Sequence, residues 1–541
     1  MTLALLASVC LAPLQLPVTP VLAAKLTPGP NAVVGGEFGA RVALDDGRAA
    51  IAAIGEQFDT GAVYVHDRLN GVWSLTQRIA PSDAPGGSFG LALALSGDRL
   101  VVGLPSASLP AYATGAVRTY TFDGASWTLE AHLQPTDAAG SDFFGQCVAL
   151  SGDTLAVGCP FDDTSVVESG SAYVYRRIGG AWTLEQKIVA PDAAPADRFG
   201  VALDLDGDTL VVGAHQEDNV QPNSGQVYVF TRSGAVWSEQ ARLKASDPNA
   251  GQWFGEDVAL EGSRLIVGAP GDNATSFNGG AAYVFENDGV SWTQRAKLTA
   301  VVPSQTERFG SAVALSGNFA AAGAWQNAEG GGNSGAAYLF ESSAGAWFQA
   351  AKLKPTDSAA GDRFGNDVAL DGGDWINGAM LSDGPVQDAG SAYIYRILKQ
   401  PIVYCTAKVN SLGCLPQMAS QGESSLSSAT PFDVYATSIV SGRLGVLLYG
   451  LSGRSQVPFA GGLLCVRGPV RRSPAQSSGG APSGLDCTGE YHFDFNALAQ
   501  SGSDPHLVVG QVVDAQYWYR DPPSSGAIGL SDALEFELTP R

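Results

Sequence analysis

The dipeptide Phe-Gly recurs along the chain with phenylalanine at 38, 89, 144, 199, 254, 309 and 364, first after 51 residues and then five times after 55. A fixed period of this size marks an array in which each unit buries its apolar face against its neighbours. Every unit carries four short apolar segments, seen in the third as FGQCVALS, TLAVGCP, GSAYVYRR and AWTLEQKI. They alternate, contain Val, Tyr, Phe and Trp, and are separated by glycine-containing turns such as SGDT and IGGA, so they read as strands. Four strands per period suit a propeller blade and argue against a helical solenoid, whose 3.6-residue pattern is absent. Seven such blades can close a ring.

Closure makes a specific demand on the termini. The seventh unit has its third strand, GSAYIYRI, ending at Ile397, and no fourth follows. The beginning of the chain supplies one: AAKLTPGP at 23–30 resembles AAKLKPTD at 350–357 and RAKLTAVV at 295–302. Residues near 22–27 are therefore expected to form the outer strand of the last blade.

The repeated signature is FG, then GLP, GCP, GAH, GAP, GAW or GAM, then G-x-x-Y/R-x-Y/F. It resembles the FG-GAP repeats of integrin α-chain propellers, over roughly residues 22–397. The resemblance implies an adhesion or ligand-binding domain, in some members attached to an enzyme. Members often insert a calcium loop, D-x-D-x-D-G-x-x-D, between FG and GAP. This chain departs from that pattern, because its connectors are DDGR, SGDR, SGDT, DGDT, EGSR, SGNF and DGGD, all of hairpin size. Asp204, Asp206 and Asp208 alternate around Gly207 like the opening of an oxygen-ligand loop, but apolar Leu210-Val211-Val212 follows instead of further ligands. Turn chemistry is the favoured reading of these three, and a calcium site the alternative.

In an up-and-down blade the loops joining strands 2 to 3 leave on the same face as the links from strand 4 to the next strand 1. These are the long, acidic connections here: FDDTSVVESG at 161–170, QEDNVQPNSG at 216–225, GDNATSFNGG at 271–280 and LSDGPVQDAG at 381–390. Variable loops on a rigid scaffold are where binding usually resides, so Asp162, Asp163, Glu217, Asp218, Asp272, Asp383 and Asp388 are the candidate ligand-face residues. The bland reading is a solvated loop face. Trp73, Trp127, Trp182, Trp237, Trp292 and Trp347 begin the fourth strand in six units; that regularity points to blade-to-blade packing rather than to a sugar platform.

The formal charge of −22 disfavours a nucleic-acid binder, which needs clustered Lys and Arg. Catalytic signatures are missing: the five histidines form no HExxH, and GLSGR at 450–454 does not fit a nucleophile elbow. Residues 1–24 hold an apolar stretch from Leu3 to Ala12, too short for a membrane span, and end in small residues suited to cleavage after Ala23 or Ala24, so a signal peptide is expected. No later segment is apolar for long enough to cross a bilayer.

The repeat stops after Ile397, and Lys399-Gln400-Pro401 reads as a linker. Residues 401–541 carry strand patterns such as RLGVLLYGL, GGLLCVRG, GEYHFDFNAL and ALEFELTP, and predict a compact antiparallel β domain. YCTAKVNSLGC, PVRRSPAQSSGG and AQYWYRDP resemble a module at the C-terminus of secreted bacterial proteins, to which no activity attaches. Cys405 with Cys414 and Cys465 with Cys487 are near neighbours and are expected to pair, one of three pairings open to four cysteines. Cys147 and Cys159 fall in one hairpin; with its turn at Gly152-Asp153 they point to opposite faces, as free buried thiols. Arg467, Arg471 and Arg472 could grip an anion, against the commoner surface-loop reading.

The expected protein is all-β: a signal peptide (1–24), a seven-bladed propeller of four-stranded blades (25–398) and a smaller antiparallel β-sandwich-like domain (401–541). It is expected to be a secreted or cell-surface recognition module, non-enzymatic, binding an extracellular protein or polysaccharide through its acidic loop face, with calcium as a candidate aid. The alternatives are a propeller hydrolase or lyase acting on polysaccharide and a surface-coat protein.

Overall fold

The computed structural model describes residues 18–539 except 70, 82, 84, 85, 109, 110, 138, 219, 344, 400, 427, 429, 482–485, 509 and 510. Two compact units emerge, Pro20–Arg396 and Ile397–Arg541.

The first unit contains seven four-stranded antiparallel sheets. In blade 3 the strands are Val148–Ser151, Thr154–Cys159, Ser171–Ile178 and Ala181–Ile188, in spatial order. Ser151 pairs with Thr154, so the hairpin turns at Gly152-Asp153 as expected. Blade 7 takes its outer strand, Val18–Leu26, from the beginning of the chain, beside Ser391–Lys399, Asp374–Ala379 and Phe364–Asp371. Lys25 there meets Asp357 and lies over the Tyr393 ring, as Lys187 meets Asp137 and lies over Tyr173 in blade 3. The alignment of 23–30 with 350–357 thus identified the right partner strand. Most of this strand precedes Ala24, so it spans the expected cleavage point; residues 1–17 of the expected signal and Cys10 lie outside the described residues.

The repeated residues explain how blades join. Each Phe of Phe-Gly is fully buried and meets a tyrosine of its own third strand edge-on, as in Phe144–Tyr173 at 5.3 Å and Phe309–Tyr338 at 5.1 Å. The following glycine has positive φ, +92° at Gly200, and a Cβ there would collide with the carbonyl oxygen of Ser171 in the preceding blade. The tryptophans pack between blades: Trp237 lies in one cluster with Val174 and Ile188 of blade 3, and its indole N–H donates to Glu185 at 3.0 Å.

The innermost strands ring an axial channel. The seventh residue after Phe caps the next blade's hairpin at six of the interfaces, with Asp45 accepting from Gly97 in the first. Ser151 accepts from the Gly207 amide, Asp206 from Gly262, Glu261 from Gly317, Ser316 from Gly372, and Asp371 from Asp46 across the ring closure. Closure between blades 7 and 1 is therefore made by the same device as five other interfaces.

The second unit packs a six-stranded sheet and the three-stranded sheet Gln417–Gln421, Asp433–Ile439 and Gly489–Asp494 around one core that includes Phe432, Leu447, Tyr491, Phe495, Tyr517 and Phe536. Two details differ from expectation. GEYHFDFNAL is a strand only to Asp494, which then caps a helix, Phe495–Gln500, by accepting from the Ala497 amide. The disulfides are Cys405–Cys465 and Cys414–Cys487, with Cα–Cα distances of 6.3 and 6.5 Å, not the near-neighbour pairs. Proximity along the chain is the wrong criterion here, because the hairpin bearing Cys465 and the segment bearing Cys487 are brought back onto residues 405–414 by tertiary packing. Cys147 and Cys159 are free: Cys159 is buried and Cys147 half-buried, donating to the carbonyls of Asp142 and Gly200.

Candidate functional site

The face of the propeller that carries the 2–3 loops and the 4–1 links has three zones, set by how far each segment lies from the axis.

The outermost zone is the 2–3 loops. In blades 3, 4 and 5 the first acidic position of the loop folds inward rather than toward a partner, and in blade 7 buried Ser382 takes that place. Asp162 and Asp272 are buried under the tyrosine of their own blade, Asp272 completely. Asp162 accepts from Ser171 (2.6 Å), Tyr173 (3.2 Å) and Lys187 (2.7 Å). Burial pushes its carboxyl up, but the bonds from Lys187, Ser171 and Thr164 overcome this and hold it at about 2. Asp272 makes the same cluster with Tyr283 and Lys297, joined by Gln252, and is likewise held low. Glu217 occupies this position in blade 4 and is also buried. The second position stays exposed but fixes the loop. Asp163 accepts from the Glu168 amide, Asp218 from Asn223 and Asp383 from Asp388, five residues on in each case. Each of those residues, Asp388 included, has positive φ. The structure thus separates the seven candidates into Asp162, Glu217 and Asp272, which are internal, and Asp163, Asp218, Asp383 and half-buried Asp388, which face solvent or border it.

Just after these acids each loop presents a side chain whose own carbonyl is tied to the next blade. The Tyr112 carbonyl accepts from Ser141, that of Val167 from Ala196, that of Pro222 from Gly251 and that of Phe277 from Thr306. Their side chains point outward, with Tyr112, Val167 and Phe277 76, 66 and 64% exposed. Blades 6 and 7 carry Gly332 and Gln387 instead.

The middle zone is a collar made by the residue before each Phe-Gly. In blades 3–7 it is aromatic or cationic, with Arg198 over Phe161 at 4.4 Å, Arg308 over Trp253 at 4.5 Å and Arg363 over Trp325 at 4.9 Å, while blades 1 and 2 place Glu37 and Ser88 there. The acidic candidates named from the sequence thus lie in the 2–3 loops, and the collar beside them carries three arginines and one glutamate.

The innermost zone is the channel mouth, a cavity of about 270 Å³ lined by Arg41, Gln146, Cys147, Glu256, Asp257, Ser311, Asn366 and Asp367 among others. Asp257 accepts from the Val313 amide and Asp367 from Val42, each at 2.7 Å and each in the next blade. Burial drives Asp257 up to about 8 against the pull of that amide, with Asp367 adding and Arg41 offsetting; burial takes Asp367 to about 6. An alignment of the seven units would have exposed these residues. The third residue after Phe is Ala92, Ala202 or Ala312 in the even blades, Cys147 in blade 3, and Arg41, Asp257 or Asp367 elsewhere.

Asp204, Asp206 and Asp208 do not converge. Asp204 accepts from Leu205 and from Leu260 in blade 5, Asp206 from Gly262, and Asp208 stands 3.5 Å from Arg232 in the turn. Burial raises Asp204 to about 6, and both of its oxygens are committed to backbone amides. Among the described residues no three His, Cys, Asp or Glu side chains gather as a metal site. In the second unit Arg471 is taken by Asp504 at 2.7 Å, while Arg467 and Arg472 are exposed. No helix among the described residues is long and apolar enough to cross a membrane.

A family model for the FG-GAP repeat matches residues 127–175, 182–230, 237–285, 292–340 and 347–395. Each match runs from the tryptophan opening one blade's outer strand to the third strand of the next blade, so the unit of sequence is offset from the unit of structure. No curated protein matches the chain. FG-GAP repeats build propeller-type modules of protein binding or adhesion, and such propellers are typically non-enzymatic. Five matched FG-GAP repeats thus lie within the seven-bladed unit, consistent with an FG-GAP repeat protein whose propeller resembles that of integrin α-chains.

Proposed function

We propose that the protein is an exported recognition module that docks a basic, partly apolar protein surface on the loop tips of blades 2–5. One observation carries this reading: Tyr112, Val167, Pro222 and Phe277 occupy the same loop position in four successive blades, held outward by a backbone bonded to the next blade. Exposed Asp163 and Asp218 flank that row, and the chain's charge of −22 favours a cationic partner. An exposed apolar row rimmed by charge on a rigid scaffold is the usual anatomy of a docking surface. Export is supported by the two disulfides, which persist in oxidising compartments. A metal is not needed for this reading.

The test is photo-crosslinking on intact cells, with a photoactivatable residue at position 167 or 277 and, as controls, at 178 and 236 in the 3–4 turns on the opposite face. Protein adducts are expected from 167 and 277 only, and a triple Tyr112→Ser, Val167→Ser, Phe277→Ser variant should abolish capture. Equal adducts from both faces would sink the loop-face reading. Retention on a glycan array, lost in the same triple variant, would turn the reading to polysaccharide.

A further inference from the structure

We propose that the channel mouth of the propeller binds a small zwitterion of the free amino-acid class, with its carboxylate on Arg41 and its ammonium among Glu256, Asp257 and Asp367. This inference does not rest on the loop-tip docking surface.

The repeat provides an internal control. If the channel only needed closing, the third residue after each Phe would be small, as Ala92, Ala202 and Ala312 are. Blades 1, 5 and 7 place one guanidinium and two carboxyls there instead, around a cavity of about 270 Å³. Charges gathered in a confined space normally pair, because unpaired charge is costly away from bulk water. Among the described residues Arg41 has no carboxylate within 4 Å and donates only to the Ala40 carbonyl, while Asp257 and Asp367 have no cation within that distance. The pocket thus sets a guanidinium opposite carboxyl groups that it does not meet, a pattern that a dipolar ligand would complete by bonding the one and ionising the other.

A second observation points the same way. His215 is 7% exposed, and its Nδ1 has no hydrogen-bond partner. That nitrogen stands 3.7 Å from the carboxylate of Glu256, which lines the cavity and is 35% exposed. Burial keeps the imidazole neutral, with Glu256 opposing and Arg198 assisting, so this histidine, which lies behind the lining, leaves the Glu256 carboxylate available to a ligand's ammonium. A metal fits poorly, since the guanidinium would repel it and, among the described residues, no three ligating side chains converge.

The test is titration calorimetry of the full chain with lysine and glycine, and with putrescine and propionate as ligands that carry only one kind of charge. Arg41→Ala and Asp257→Ala install the residue that blades 2, 4 and 6 already use, so both variants should keep the fold. Lysine and glycine are expected to bind at least tenfold more tightly than putrescine or propionate, and each substitution should weaken them at least tenfold. Binding should also release protons at pH 7, seen as a buffer-dependent heat, because an ammonium beside Asp257 favours its ionised form. Silence with both amino acids, equal binding of putrescine, or affinity untouched by both substitutions would overturn the proposal.

Discussion

The propeller and the C-terminal unit reach stability by opposite routes. In the propeller every interface is a copy of the one before, and its cysteines stay free. The C-terminal unit has a single core and two disulfides that close loops of 60 and 73 residues. Repetition supplies many short-range interfaces that each need only a neighbour. A small domain assembled from distant segments must bring them together once, and cross-links lower the chain entropy that opposes it.

The largest expected effect breaks the two regions apart. Replacing Cys414 and Cys487 by serine should lower the stability of the C-terminal unit by about 2–5 kcal/mol. In a thermal scan that unit should melt earlier, while the propeller transition stays within a degree of the wild type. Movement of both transitions together would show that the two units do not unfold independently.

The next effect tests whether the interfaces are truly copies. Gly200→Ala and Gly310→Ala place a Cβ against the carbonyls of Ser171 and Ala281 at φ of +92° and +82°. Each should cost about 4 kcal/mol in urea denaturation, and the two losses should agree. Gly207→Ala, at φ +57° in open space, should cost only about 1 kcal/mol.

The same contrast decides what could be read in advance. Strand positions, hairpin turns, the packing tryptophans and the return of residues near 22–27 to blade 7 were legible because a strand or turn signal repeated seven times outweighs the ambiguity of one copy. The C-terminal unit offered single copies. Its cysteine pairing follows the tertiary path of the Arg454–Val466 hairpin, which spacing does not encode, and the helix at Phe495 hides behind an alternating strand pattern. At the site, the loop carboxylates were found but not their direction. Whether Asp272 faces a partner or its own tyrosine depends on Lys297 arriving from the outer strand, which only the folded blade shows. The channel residues were missed because the repeat was read for what it keeps, and Arg41, Asp257 and Asp367 are what it breaks.

Ion pairs separate buried from exposed parts of the repeat. Lys297 serves both Asp247 (2.7 Å) and fully buried Asp272 (2.9 Å), so Lys297→Met should strand a charge and cost about 3 kcal/mol. Arg99→Met removes a pair with half-exposed Asp153 and should cost less than about 1 kcal/mol. Equal losses would mean that the tyrosine-centred clusters are no better buried than the surface.

The smallest effect is a difference in slope. Asp162 follows the repeat, and its folded value of about 2 lies below the unfolded value near 3.9. Its contribution is therefore present above about pH 4 and is lost as pH falls through 2. Asp257 breaks the repeat, and its folded value of about 8 lies above the unfolded one. Its contribution is full below about pH 4 and disappears as pH rises through 8, in the field of Arg41, Asp367, Cys147, Glu256 and His215. Because Asp257 is only partly buried, solvent screening should hold the change to about 1 kcal/mol. Asp257→Ala should remove that decline between pH 4 and 8 and leave the acid limb set by Asp162 where it was. If the wild type and Asp257→Ala run parallel across this window in urea midpoints, the carboxyl is solvated like a surface group. The channel would then be no different in kind from the loops around it.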